Sequence, residues 1–219
     1  MVAGAGKTKL TSTVIDDLCN FLGEKIDNEA LAYFYCDRNH ETHRIPDFIV
    51  RSYVRQLSTT PTGDRIHPVL LDYYKEQKKL GFAAWPPTIQ VCTKLLSQLI
   101  ESYPQTTIIL DALDECDNST RHQLIQIFDD LAIQSAKPVK IFISSRPDND
   151  INYRFRTGPN IAIRATDNRD DIAMYVEERI STCRKDWLDG VDRIPNLQNE
   201  IRSVLVEKSQ GMLVSPSVN

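Results

Sequence analysis

No run of apolar residues in this 219-residue chain reaches the roughly 20 needed to cross a membrane as a helix. The first residues also lack the charged-then-apolar order of a signal peptide. The five cysteines, Cys19, Cys36, Cys92, Cys116 and Cys183, are odd in number, scattered and without Cys-x-x-Cys spacing. That argues against a disulfide framework and against a zinc site, and it suits a reducing, cytoplasmic setting. Charge of one sign is not in excess. The net charge is −4 and the sequence pI near 5.6, so there is no overall attraction to nucleic acid or to an anionic membrane. Neither an internal repeat nor a low-complexity tract is present. What remains is an ordinary globular composition, 41% hydrophobic, long enough for one well-buried domain with a small second unit.

The informative stretch is Thr106-Thr107-Ile108-Ile109-Leu110-Asp111-Ala112-Leu113-Asp114-Glu115. Its apolar, β-branched first half follows the turn residues Pro104-Gln105 and is too short for a helix, which predicts a strand buried on both faces. Three carboxylates cluster where that strand emerges. Burying an unpaired carboxylate costs several kcal/mol, so acids in this place need a cation or a polar reaction site to face. Phosphate-bound magnesium answers that need. The beginning of the chain supplies the other half, because Gly4-Ala5-Gly6-Lys7-Thr8 has the form of the end of a phosphate-binding loop. Glycines there let backbone N–H groups approach phosphate oxygens, and the following helix adds its dipole. Lys7 would reach the terminal phosphates and the Thr8 hydroxyl would bind magnesium. Taken alone, Gly-x-Gly-Lys-Thr also arises by chance or as a helix cap; the acidic strand is what argues against that.

Along the rest of the chain, a helix is expected from Lys7 to Glu24 with Leu10, Val14, Ile15, Leu18 and Leu22 on one face, then a strand over Ala30–Cys36. His40 and His43 follow in a polar segment. They stand three apart, not at the four-residue spacing of a helical zinc pair, and the segment reads as a solvated loop. Helices follow from Ile45, from Pro68 and from Thr88, with Trp85 anchoring a connector. Asp117-Asn118-Ser119 caps a helix to Gln134, and Pro138–Ile143 is a further buried strand ending in Ser144-Ser145-Arg146-Pro147. An arginine at a strand exit can reach the terminal phosphate of a bound nucleotide, or form a plain salt bridge. Asn160–Arg164 predicts a last short strand, and helices are expected from Asp167-Asn168 to Trp187 and from Pro195 to Lys208. Strands alternating with helices give an α/β fold, a doubly wound and mostly parallel sheet over residues 1–165 with a small helical appendage over 166–219.

Gly4-Ala5-Gly6-Lys7-Thr8, Ala32-Tyr33-Phe34-Tyr35-Cys36, Ile108 through Cys116, Lys140 through Pro147 and Gln210-Gly211-Met212 occur in that order. In this the chain resembles the NACHT domain, a P-loop NTPase module found in fungal nucleotide-binding proteins akin to innate immune receptors, and is similar to the nephrocystin-3-like NTPase module. The resemblance implies ATP or GTP with Mg2+ as ligands. It also implies Lys7 on the phosphates, Thr8 and Asp111 on the metal, Asp114 or Glu115 orienting the attacking water, and Arg146 sensing the γ-phosphate. Gly4, Ala5 and Gly6 would cradle the phosphates. Binding in such proteins drives a conformational and oligomeric switch that slow hydrolysis resets, with self-association in the full-length parent.

The pattern departs from the family at both ends. Met1 stands where the loop's first glycine belongs, and the strand that precedes the loop is missing, so the sequence reads as a fragment cut at both ends. A gap is expected between the strands at Val139–Ser144 and Ile161–Arg164, with weak nucleotide binding or none. A nonhydrolytic signalling scaffold and another P-loop enzyme, a kinase or helicase, are the competing readings; the acidic charge and the lack of helicase motifs count against a helicase.

Overall fold

The computed structural model describes residues 6–24, 29–59, 65–82, 86–156, 158–163, 167, 169–186 and 197–209. Its described residues form a mixed α/β structure, mostly helical, with an all-parallel, three-stranded sheet. The strands are β1 (Ala30–Tyr35), β2 (Thr106–Asp111) and β3 (Val139–Ile143), in that spatial order. Ala30 is registered on Thr106 and Thr106 on Val139, so the three strands start level. Parallel neighbours need crossovers. The first is made by α2 (Pro46–Gln56), α3 (Pro68–Lys79) and α4 (Ile89–Ile100), and the second by α5 (Asn118–Gln134). The helix α1 (Lys7–Glu24) precedes the sheet. Residues 8–145 form one compact unit, and residues 1–7 with 146–219 another.

The first unit is built on β2. Ile108, Ile109 and Leu110 have no exposed surface, each contributing about 1.5–3 kcal/mol by burial. From α2, Ile49, Val50 and Tyr53 enter the same core, and from α4 Leu95, Leu96, Leu99 and Ile100. The Tyr53 hydroxyl donates to the Ile109 carbonyl at 3.1 Å, and burial pushes its phenol well above the usual range. The outer edge of β1 is closed by a side chain: Gln56 accepts from the Tyr33 N–H at 2.9 Å and donates to its carbonyl at 2.7 Å. This copies the hydrogen bonds of an additional strand and blunts a pairing edge.

Caps account for several helix starts. Asp117 accepts from the Thr120 N–H at 2.8 Å, and Thr88 caps α4 through the Val91 N–H at 3.5 Å. Four expectations need correction. Residues Glu41–Arg44 form a 3-10 helix instead of a loop. On α1 it is Thr11, with no exposed surface, that faces inward with Ile15, while Leu10 is 43% exposed. Residues 160–163 are not in a strand, and Ile161 is 88% exposed. A short strand exists only through its ladder, and among the described residues the sheet offers it no partner. For the same reason β3, an edge of that sheet, is half-buried where a buried strand was expected.

The second unit contains α6 (Asn149–Arg154), α7 (Arg169–Asp186) and α8 (Leu197–Ser209). Asp148 caps α6 through the Asn149 N–H at 2.7 Å, α7 packs on α8, and Arg202 of α8 pairs with Glu177 of α7 at 3.4 Å. No helix of the described residues is long and apolar enough to cross a membrane.

Candidate functional site

The exits of the three strands are laced together. Beyond the ladder, the Cys36 N–H donates to the Asp111 carbonyl at 3.1 Å, the Ser144 N–H to the Leu110 carbonyl at 2.9 Å, and the Leu113 N–H to the Ser144 carbonyl at 3.0 Å. These bonds place Cys36, Asp111 and Ser144 side by side at one end of the sheet. Ala112 then takes a left-handed conformation, φ 57° and ψ 49°, which turns the chain into a 3-10 helix over Leu113–Glu115. Leu113 is fully buried and pins that turn to the core.

Asp111 is the centre of the arrangement and is only 2% exposed. One carboxylate oxygen accepts from the Thr8 hydroxyl at 2.7 Å. The other accepts from the Thr11 hydroxyl at 2.7 Å and closely from the Ser144 hydroxyl. Ser144 is itself fixed, its hydroxyl oxygen accepting from the Ala112 N–H at 3.0 Å. These three partners are all neutral hydroxyls. The charge of Asp111 is therefore oriented but not balanced by them. Its field reaches Tyr35, whose phenol is pushed up first by burial and then by Asp111. A carboxylate beside a threonine hydroxyl is a hard, all-oxygen pair, and such donors fit Mg2+.

The other two acids of the stretch have separate partners. Asp114 is 8% exposed and accepts from the Ser145 hydroxyl at 3.4 Å. Glu115 forms a close ion pair with Arg38, from the segment after β1. Arg121, 7% exposed, braces the turn from α5, donating to the Asp114 carbonyl and the Cys116 carbonyl at 2.9 Å each and to Asn118 Oδ1 at 3.2 Å. Next to it the Cys36 and Cys116 sulfurs lie 3.5 Å apart. The hydrogen bond to Cys116, and then burial, hold the Cys36 thiol far above its ordinary value.

The structure thus brings Thr8 and Asp111 together, with Asp114 and Glu115 on the adjoining turn. Gly4 and Ala5 lie outside the described residues. Gly6 has φ 81°, a left-handed conformation suited to glycine, directly before the first residue of α1. Gly6, Lys7 and Arg146 belong to the other compact unit.

Residues 2–146 match the family described as nephrocystin 3, N-terminal. The chain belongs to that family. No curated protein matches it. The nephrocystin 3 N-terminal region takes in the whole compact unit of residues 8–145 and every sequence-predicted site residue from Gly4 to Arg146.

Sequence reasoning missed four residues of this candidate site: Thr11, Ser144, Arg38 and Arg121. Thr11 had a signal, because a position three after Thr8 on a helix shares its face. Ser144 had one too, as the residue at a strand exit. Arg38 and Arg121 had none, since their contacts with Glu115 and with the Asp114 carbonyl depend on how the turn after Asp111 folds back.

Proposed function

We propose that the chain is the nucleotide-binding core of a NACHT-type P-loop NTPase, taking ATP or GTP with Mg2+ and hydrolysing it slowly as a signalling switch. The observation that carries this reading is the 2.7 Å hydrogen bond from the Thr8 hydroxyl to Asp111, between residues 103 apart in sequence. It joins the end of the glycine-rich segment to the end of an acidic core strand. Thr8 and Asp111 would hold the metal, and Thr11 with Ser144 keeps the carboxylate aimed. When bound, magnesium supplies positive charge against the phosphate oxygens. Lys7 and Arg146 would contact the terminal phosphates, their roles resting on the sequence pattern. Asp114 or Glu115 would orient water. Phosphoryl transfer asks for positioned charge more than for covalent chemistry, which is what these side chains offer. The scattered cysteines favour a cytoplasmic setting, and family resemblance adds self-association in a longer parent.

The test is equilibrium binding of a fluorescent ATP analogue, and of its GTP counterpart, with Mg2+. Weak but saturable binding that is lost in Lys7→Ala and on chelation of Mg2+ is expected, weak because Met1 stands where the loop's first glycine belongs. Folded protein that binds neither nucleotide overturns the reading. A second reading, a nonhydrolytic scaffold with nucleotide as a structural ligand, is favoured by the ion pair that occupies Glu115. Under it, Glu115→Gln and Asp114→Asn both leave turnover unchanged; under the switch reading, one of the two lowers it.

A further inference from the structure

The segment after β1 carries Asp37, His40 and His43 at intervals of three residues. In a helix of the Glu41–Arg44 kind, side chains three apart eclipse one another. The backbone extends that pattern upstream: the His40 N–H donates to the Asp37 carbonyl at 3.2 Å and the His43 N–H to the His40 carbonyl at 3.0 Å. Two successive tight turns therefore set one carboxylate and two imidazoles on a common face. One ligand atom from each of the three lies within 4.8 Å of the other two.

From this geometry we propose that Asp37, His40 and His43 form a transition-metal site, with Zn2+ as its natural ion. Tetrahedral zinc with bonds of about 2.0–2.2 Å keeps its ligands roughly 3.3–3.5 Å apart, so closure needs side-chain rotations of about an ångström. The side chains are already held for it. Asp37 Oδ1 accepts from the Asn39 N–H at 2.9 Å, while Oδ2 meets His40 Nδ1 at 2.6 Å. The His43 ring stacks on His40 with centroids 5.0 Å apart and on Phe48 at 5.6 Å, and Phe34 meets it edge-on at 5.6 Å. Such buttressing fixes ring orientation, as outer contacts do in metal sites generally.

The donor set decides the ion. Two imidazole nitrogens and one carboxylate oxygen select Zn2+ and its neighbours over Mg2+, which prefers oxygens alone. The Asp111 and Thr8 pair offers oxygens alone, so the two places differ in the metal they take. The His40 side chain is 65% exposed, which gives an entering ion access and leaves a fourth position for water.

The test titrates metal-free protein with Zn2+ by calorimetry and with Co2+ by visible absorption. One equivalent is expected to bind, to give the absorption of a tetrahedral nitrogen and oxygen site, and to resist a thousandfold excess of Mg2+. Asp37→Asn, His40→Asn and His43→Gln are each expected to weaken binding at least about tenfold. Imidazole NMR of the unaltered protein gives a second readout among its four histidines: His40 and His43 shift with Zn2+, while His67 and His122 do not. Absence of saturable binding, binding unchanged in the His40→Asn and His43→Gln double variant, or shifts confined to His67 and His122 overturns the proposal.

Discussion

Thr11→Val separates a polar anchor from ordinary core packing. Thr11 has no exposed surface and donates to Asp111 at 2.7 Å. Valine nearly reproduces its shape, so no cavity opens, and the two residues differ by only a few tenths of a kcal/mol in helix propensity, roughly cancelling in the comparison. The lost term is a buried hydrogen bond to a charged acceptor, about 1.5–3 kcal/mol. Urea unfolding followed by circular dichroism is expected to show a loss of about 2 kcal/mol with an unchanged m value. For a protein of this size the melting midpoint should fall by roughly 4–8 °C. A double-mutant cycle with Asp111→Asn assigns the loss, with a coupling energy of about 1–2 kcal/mol. If Thr11→Val stays within about 0.5 kcal/mol of the parent, or the two substitutions are simply additive, Thr11 only fills space and the reasoning fails.

Arg121→Met is expected to cost about 2–4 kcal/mol, because it strips the donors from two carbonyl oxygens at a buried position. Faster hydrogen exchange over residues 113–117 measures the loosened turn. Ala112→Gly should stabilise the chain by about 0.5–1 kcal/mol, the reverse of the usual effect, because relief of about 1–2 kcal/mol of left-handed strain exceeds the added unfolded-state entropy; thermal melting decides the sign. Asp117→Ala removes the cap of α5, and at this solvated position the low end of the capping range applies, about 0.5–1 kcal/mol. The Thr120 N–H, ahead of the Ser119 hydroxyl, lowers the Asp117 carboxyl. Its contribution is therefore full above the unfolded value near 3.9 and is lost as pH falls through the lower folded one, so the gap between parent and variant closes below about pH 4 in an acid titration.

What was legible in the sequence was whatever depends on near neighbours. The apolar run of Thr106–Asp111, the aromatic run of Ala30–Tyr35 and the Asp117 cap each carry their cause within a few residues, and each forms. Pattern failed where partners decide. The alternation at Ile161 and Ile163 suits a strand, yet a strand is a property of two segments, and no ladder among the described residues includes it. Hydropathy points Leu10 inward, but Thr11 takes the buried place because its hydroxyl has Asp111 to meet. The histidines at 40 and 43 were weighed against an α-helical spacing of four, when the local geometry has three residues per turn. Of the candidate site, Thr8 with Asp111 was readable from motifs, whereas the Arg38–Glu115 ion pair joins the segment after β1 to the turn after β2 and exists only in the folded chain.

The choice of hydroxyls around Asp111 is itself an argument about function. A carboxylate this deeply buried is most simply stabilised by a lysine or arginine in contact with it. The hydroxyls that donate to it are instead those of Thr8, Thr11 and Ser144, which orient the carboxylate. Under the proposed function, that arrangement would keep a negative oxygen pair available to an incoming Mg2+. The ladder of main-chain bonds through Cys36, Asp111 and Ser144 makes the position rigid. Glu115, on the same turn, pairs with the more exposed Arg38. Under the proposed function, a rigid carboxylate at Asp111 with a second acid on the adjoining turn is the pairing that a slow, ligand-controlled hydrolase would use.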